Sequence, residues 1–231
     1  MAEDIKEIKK LVKDNWVDAF PELSAFAHNK FYKVVGCFVV GIEAVNIPNI
    51  EGYKPHFVAY PLWKEDIKKC LDTPSLYICV EDQKKFQFSI PYLKHGVLIS
   101  EAVECFKKQI PISLNGNINL KSLFDLVDSR FNDILVKSNS AQQAKLFELK
   151  FYSALYVGSQ SQVQNVLNQI EQSGKSWNMN MFEMWYGKFD VWLQGLRQKV
   201  SNREDFLKQI EENKQDKKIS QLKSSELTTY D

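Results

Sequence analysis

Residues 31–47 read FYKVVGCFVVGIEAVNI, and this stretch decides the class of fold. It is dense in β-branched and aromatic residues, which fit the pleated and partly buried surface of a strand. Gly36 and Gly41 interrupt it, and a glycine inside a strand indicates a bulge or a close approach of another backbone. The sequence therefore predicts a sheet in the first half of the chain.

More strand-like segments follow at short intervals. Residues 75–80 and 84–90 are separated by a few turn residues rather than by a long connection. Every second residue from Phe86 to Ile90 is apolar, which is typical of a strand with one buried face. Because short connections favour antiparallel pairing, we predict a mainly antiparallel sheet of four or five strands.

Helices are predicted beside this sheet. Residues 3–20 have apolar side chains at the helical period and lysines between them, and Pro21 ends the pattern. Shorter helices are predicted near residues 67–71 and 99–108. One of these interrupts the sheet and the other covers a face of it.

From residue 117 onward the pattern is helical. Apolar residues recur at spacings of three and four through Ile134 and Leu135, behind Asn119 as the N-cap. Further helices are predicted at 141–156, 160–172 and 180–200, with Gly158 and Gly174 as C-caps and a capping box at 201–204 before a last helix.

The predicted fold class is α+β, with an N-terminal antiparallel sheet and flanking helices followed by a C-terminal helical bundle. We expect a sheet domain over residues 1–116 and a helical domain over 117–212 packed on it. Residues 213–231 are charged and contain few aliphatic side chains. This tail is expected either to extend the last helix or to be disordered.

Composition narrows the class of partner. The chain has 30 Lys and Arg against 29 Asp and Glu, so it lacks the basic footprint of a nucleic-acid binder. Residues 1–13 contain no apolar core of a signal peptide, and no apolar run approaches the roughly twenty residues that span a membrane. We therefore expect a soluble, cytoplasmic protein, and the abundance of Lys, Asn and Ile favours a bacterial source.

The cysteines and histidines give no sign of a metal or cofactor. Cys37, Cys70, Cys79 and Cys105 include no close pair of the kind that zinc sites use. We interpret all four as free, buried thiols. His56 lies in a predicted strand, and we interpret it as hydrogen-bonded at the edge of the sheet rather than as a catalytic base. No cofactor, metal site or catalytic residue is predicted.

One acidic pattern supports an enzymatic alternative. Glu148 and Lys150 have the ExK spacing of metal-dependent nucleases, with Asp125, Asp128 and Asp133 upstream. On the predicted helix the two side chains diverge by roughly 200°. A solvated helix face is therefore the favoured interpretation, and a metal-dependent hydrolase that uses carboxylates between residues 125 and 148 is the alternative.

The most distinctive stretch is aromatic. Residues 177–192 read WNMNMFEMWYGKFDVW, and on one helix from about residue 180 the apolar side chains would form two stripes. The first stripe contains Met181, Met184, Trp185, Trp192 and Leu196, and the second contains Phe182, Tyr186, Phe189 and Leu193. Either the helix is buried on most sides, or one stripe is a recognition surface, since Trp, Tyr and Met are enriched at interfaces. We expect a non-enzymatic protein-interaction protein: an adaptor, an inhibitor or an immunity-type partner. The predicted binding residues are Trp177, Trp185, Tyr186 and Trp192.

Overall fold

The computed structural model describes residues 2–48 and 50–229, and it confirms the predicted antiparallel sheet. Five strands lie side by side in chain order, and each pairs antiparallel with its neighbour. They are β1 (Ser24–Ala27), β2 (Lys30–Val35), β3 (Phe38–Asn46), β4 (Gly52–Pro61) and β5 (Leu76–Cys79). The spatial order equals the chain order, which is the arrangement that short connections between antiparallel strands produce.

The deciding stretch, residues 31–47, holds two strands rather than one. A two-residue turn that begins at Gly36 separates β2 from β3. Gly36 has a φ of +53°, a region that tight hairpin turns require and that glycine enters without steric penalty. Gly36 is therefore not at a bulge, but it lies at a close approach, because a Cβ there would lie 2.8 Å from Leu227 Cβ. Gly41 also marks a close approach, because a Cβ there would lie 1.9 Å from the carbonyl oxygen of Phe31.

The predicted strand at residues 84–90 is wrong for most of its length. Only its last residue is in a strand: β6 (Ile90–Pro91) pairs with β4. Asp82 Oδ1 accepts hydrogen bonds from the backbone N–H groups of Lys84 (2.8 Å) and Phe86 (3.0 Å). These bonds hold the chain in a turn where alternation had indicated a strand, and the Phe86 side chain is exposed.

Three helices belong to the first half of the chain. They are α1 (Ala2–Ala19), α2 (Ile67–Asp72) and α3 (His95–Gln109), with a single 3-10 turn before α3. The rings of Trp16 on α1 and Phe106 on α3 lie 6.3 Å apart, and Phe106 lies 6.2 Å from Phe57 of β4. Two of the three helices therefore pack on one face of the sheet and form the core there.

The second half is helical, as predicted. Its helices are α4 (Leu120–Arg130), α5 (Ile134–Lys137), α6 (Ser140–Val157), α7 (Gln160–Gly174), α8 (Met179–Tyr186), α9 (Phe189–Ser201) and α10 (Arg203–Lys214). The side chain of Asn119 caps α4 by accepting from the Lys121 N–H at 2.8 Å, as expected. The helix is shorter than predicted, because turns after α4 reset the helical phase and leave Ile134 and Leu135 exposed.

The predicted single helix over residues 180–200 is two helices. Gly187 separates α8 from α9 with φ +72° and ψ −161°, a combination that only glycine adopts readily. The predicted capping box at 201–204 is also absent, because Ser201 still belongs to α9 and Asn202 makes no side-chain capping bond. The C-cap at Gly158 is confirmed, with a left-handed φ of +79°.

Only Asn213 and Lys214 of the tail extend the last helix, and the rest of its described residues leave the helix and pair with the fold. After α10, strand β8 (Ser224–Ser225) pairs parallel with β2, and β9 (Leu227–Thr228) pairs parallel with β7 (Ile118–Asn119). Tyr230 and Asp231 lie outside the described residues. Buried apolar side chains from both halves form one continuous cluster, and the division into two domains at residue 116 stays a prediction.

The four thiols are free, as predicted. Cys37, Cys70 and Cys105 are buried and Cys79 is partly exposed. The interpretation of His56 as a hydrogen-bonded edge residue is wrong. His56 lies in β4, and because β5 pairs with β4 at this residue, β4 is not an edge strand. Its Nδ1 has no hydrogen-bond partner, and burial lowers the pKa of His56 to about 4. This imidazole is neutral at physiological pH.

Candidate functional site

The aromatic stretch lies on three short pieces of chain that fold against α6. Trp177 follows α7, and the side chain of Asn178 begins α8 by accepting from the Met181 N–H at 3.1 Å. The hydroxyl of Ser140, the first residue of α6, donates to the carbonyl of Asn178 at 2.9 Å. The break at Gly187 then turns α9 back toward α8. One predicted helix thus becomes a bent pair that is anchored at its start to α6.

The bend brings the aromatic residues of the second predicted stripe together with Trp192 of the first stripe and with Trp177. We define the aromatic cluster as Trp177, Phe182, Tyr186, Phe189 and Trp192. Phe182 is fully buried at its centre. Its ring lies 5.1 Å from that of Tyr186 and 5.2 Å from those of Trp177 and Trp192. Such stacked, tilted and edge-to-face pairs stabilise a core beyond the area that they bury.

Gly174 makes room for this cluster. We predicted it as a helix C-cap, but it is the last residue of α7 and has no left-handed φ. A Cβ at Gly174 would lie 2.7 Å from the ring of Phe189. The glycine is needed because a ring packs directly on its backbone, and this is a tertiary requirement that its position in the sequence does not reveal.

Both indole N–H groups of the cluster are satisfied by α6. Trp192 Nε1 donates to Glu148 Oε1 at 2.9 Å, and Trp177 Nε1 donates to Gln143 Oε1 at 2.9 Å. A buried indole usually finds such an acceptor. These two tryptophans therefore fix the α8–α9 pair on α6, and this role is structural.

Glu148 has an unusual environment for a carboxylate. Removal from water raises its pKa to about 7, against the hydrogen bonds from Trp192 and Tyr186 and the positive charges of Lys64 and Lys145, which lower it. Burial in turn lowers the pKa of Lys145, and the charge of Lys64 lowers it further. A carboxyl and an amine with opposite pKa shifts lie in one place, a combination that is frequent at functional sites.

The structure does not bring the other predicted carboxylates to this place. Asp128 accepts from the buried Lys150 at 2.6 Å, whereas Asp125 pairs with Lys121 and Asp133 with Arg130. The interpretation of the ExK pair as a solvated helix face is wrong, since Lys150 is buried and Glu148 is partly buried. Within residues 2–48 and 50–229, no three His, Cys, Asp or Glu side chains are grouped to hold a metal ion.

The opposite side of α8 is exposed at Met184 and Trp185 and partly exposed at Met181. Met181, Met184 and Trp185 are three and four residues apart and therefore share one helix face; we call these three residues the α8 patch. The side chain of Trp185 is 74% exposed and that of Met184 is 77% exposed. The methionines were placed in the first predicted stripe but not among the binding residues. The bend divides this stripe, because Met184 and Trp185 are exposed whereas Trp192 and Leu196 pack on the core.

Of the four predicted binding residues, Trp185 alone is exposed. Trp177 is buried, and Tyr186 and Trp192 are partly buried in the aromatic cluster. Comparisons with protein families, with curated proteins and with solved structures give no match for this chain. No helix in the described part of the chain is long and apolar enough to cross a bilayer.

Proposed function

We propose that this chain is a non-enzymatic protein-interaction protein of the adaptor, inhibitor or immunity type, and that the α8 patch contacts its partner. The observation that carries the proposal is the exposure of Trp185 beside Met184. Tryptophan is the residue type most enriched among the residues that dominate binding energy. Burying such a side chain in a partner's pocket contributes about 2–4 kcal/mol.

The α8 patch is held in place by the packing behind it, which favours a binding role over chance exposure. Phe182 and Tyr186 lie on the buried side of the same helix, and Asn178 caps its start. A surface held by packing on its back loses little conformational entropy when a partner binds. The methionines beside Trp185 can adapt their shape to an apolar partner surface.

The charges around the patch favour a partner whose contact region is apolar. Lys188 Nζ and Glu183 Oε2 pair with each other at 2.8 Å beside it. The chain as a whole has a formal net charge of +1. Neither feature supplies the excess of positive charge that phosphate recognition needs. The proposed partner is therefore a protein rather than a nucleic acid.

The test is capture of a partner by tagged variants from the source cell, followed by mass spectrometry. Trp185→Ala is the test variant, and Phe86→Ala is the matched control, because Phe86 is an aromatic residue that is 68% exposed on another surface. We expect a protein that the wild type and Phe86→Ala retain and that Trp185→Ala loses. Equal capture by all three chains would contradict the proposal.

Glu148 favours a second candidate, a hydrolase. Its pKa of about 7, beside an amine whose pKa is lowered, suits a general acid or base at neutral pH. A metal-dependent nuclease is the form that the sequence suggested. Glu148→Gln would abolish any such activity, measured on DNA and RNA with Mg²⁺ and on activated esters without metal. Absence of turnover by the wild type on every substrate would remove this candidate.

A further inference from the structure

The outer edge of β5 carries unpaired strand positions. β5 is the last strand in the order, its inner side pairs with β4, and no described strand lies on its outer side. Main-chain groups alternate between the two sides of an antiparallel strand. Because Val80 N–H donates to Pro55 O at 3.1 Å toward β4, Tyr77, Cys79 and Glu81 direct their N–H and C=O groups outward.

A side-chain amide already occupies the outward position at Glu81. The Glu81 N–H donates to Gln109 Oε1 at 2.9 Å, and Gln109 Nε2 donates to the Glu81 carbonyl at 2.7 Å. Gln109 thus forms the pair of hydrogen bonds that a neighbouring strand would form. Cys79 and Tyr77 are the next two outward positions along the same edge.

A groove of about 850 Å³ runs beside these positions. Tyr77, Cys79 and Glu81 line one side of it, and residues between 130 and 142 line the other. Ile134 and Leu135 stand at this second side and are 84% and 82% exposed. The groove therefore combines main-chain hydrogen-bonding groups with an exposed apolar pair.

The sequence of β5 itself lacks the residues that commonly prevent edge pairing. β5 reads LYIC, without the lysine or proline that commonly guards an exposed edge strand. A second copy of this chain fits the edge poorly. Each copy carries Ile134 and Leu135 beside its own β5, and these side chains would obstruct the approach of the other copy. A narrow extended segment meets no such obstacle.

We propose that an extended peptide segment of a partner protein adds a strand to the outer edge of β5, with its backbone on Tyr77 and Cys79 and an apolar side chain on Ile134 and Leu135. This is β-strand addition, in which main-chain bonds supply affinity and side-chain contacts supply specificity. The segment has no proline at its paired positions. The surface shares no residue with the α8 patch and does not depend on the function proposed there.

The probe is a phage library of random seven-residue peptides selected on the purified full chain. Cys79→Pro removes the outward N–H at a position where edge strands accept proline, and Cys79→Ser keeps the main chain as the control. We expect Cys79→Pro to weaken the selected peptide about tenfold or more and Cys79→Ser to leave its Kd within about twofold. Equal binding by both variants overturns the proposal.

Two further measurements decide the case if Cys79→Pro does not fold. Ile134→Asp with Leu135→Asp should weaken the peptide about tenfold, whereas Val97→Asp, at a residue that is 83% exposed on α3, should not. In the wild type the bound peptide should slow amide hydrogen exchange at Tyr77 and Cys79. Unchanged exchange, failure to select any peptide, loss of binding in Trp185→Ala, or self-association through β5 would each contradict the proposal.

Discussion

The aromatic cluster and the α8 patch come from the same sixteen residues but have opposite environments. Phe182 at the centre of the cluster is fully buried, whereas Trp185, three residues later on the same helix, is mostly exposed. The cluster makes all of these contacts within the chain. Its rings pack on one another, and the indole N–H groups of Trp177 and Trp192 donate hydrogen bonds to side chains of α6. Met184 and Trp185 of the patch are exposed in the described part of the chain, and this contrast supports the binding role proposed for the patch.

The bend at Gly187 creates the contrast. In an unbroken helix the two stripes would lie side by side, and no single neighbouring layer could cover both. After the bend, Phe189 and Trp192 fold back onto Phe182 and Tyr186, so the cluster closes on itself. Aromatic composition shows where apolar surface is available, but the break in the helix decides which part of it the fold uses.

The largest effect is expected at the centre of the cluster. Phe182→Ala removes a fully buried ring that contacts Trp177, Tyr186 and Trp192. We expect the free energy of unfolding, measured by urea titration, to fall by about 3–5 kcal/mol from lost transfer energy and the cavity. A loss below about 1 kcal/mol would show that the cluster is not a packed core and would remove the contrast with the patch.

The second prediction concerns pH. The pKa of Glu148 is about 7 in the folded chain against an ordinary value of 4.5, so the folded state holds this proton more tightly than the unfolded state does. The stabilisation from this bound proton is therefore fully present below about pH 4.5, and it is lost as pH rises through 7, by up to about 3 kcal/mol.

Glu148→Gln should remove this dependence, because the neutral amide keeps an acceptor for Trp192. Urea titrations of both chains at pH 5 and pH 8 test the prediction. We expect Glu148→Gln to gain stability relative to the wild type at pH 8 but not at pH 5. Parallel curves for the two chains would show that Glu148 does not carry the effect.

The bend itself is tested by a smaller change. Gly187→Ala places a Cβ in open space, so only the backbone strain at φ +72° and ψ −161° acts, and we expect a loss of about 1–3 kcal/mol. Gly195→Ala is the matched control, since Gly195 lies in the interior of α9 with equally open space. That substitution should instead stabilise the chain by about 0.5–1 kcal/mol. Similar effects of the two substitutions would argue against a glycine-dependent bend.

Much of the fold could be predicted from local patterns. The β-branched run at residues 31–47 and the helical period after residue 117 both reflect burial against a neighbouring layer, which leaves a periodic record in the sequence. The misassigned strand at 84–90 followed such a pattern too. There the local hydrogen bonds of Asp82 dominate and turn the chain.

The candidate site was less accessible from sequence, because its properties depend on contacts between distant residues. Trp192 and Glu148 are 44 positions apart, and no local pattern indicates that an indole will meet this carboxylate. Gly187 and Gly174 are both visible in the sequence, but Gly187 permits a bend and Gly174 permits the contact with the ring of Phe189. Only the packing shows which glycine has which role.

The smallest expected effect on stability belongs to the α8 patch. Trp185→Ala removes a side chain that is mostly exposed, so the free energy of unfolding should change by less than about 0.5 kcal/mol. The same substitution should have a large effect on binding. This separation of stability from binding is what the contrast between the patch and the cluster requires.

The most direct test is therefore a titration calorimetry measurement of the captured partner against the wild type, Trp185→Ala and Phe86→Ala, with a thermal midpoint for each chain. We predict that Trp185→Ala raises the Kd by about thirtyfold or more, equivalent to about 2 kcal/mol, with an unchanged midpoint. Phe86→Ala should bind as the wild type does. An unchanged Kd for Trp185→Ala would contradict a binding role for the α8 patch. A raised Kd accompanied by a thermal midpoint several degrees lower would contradict it as well.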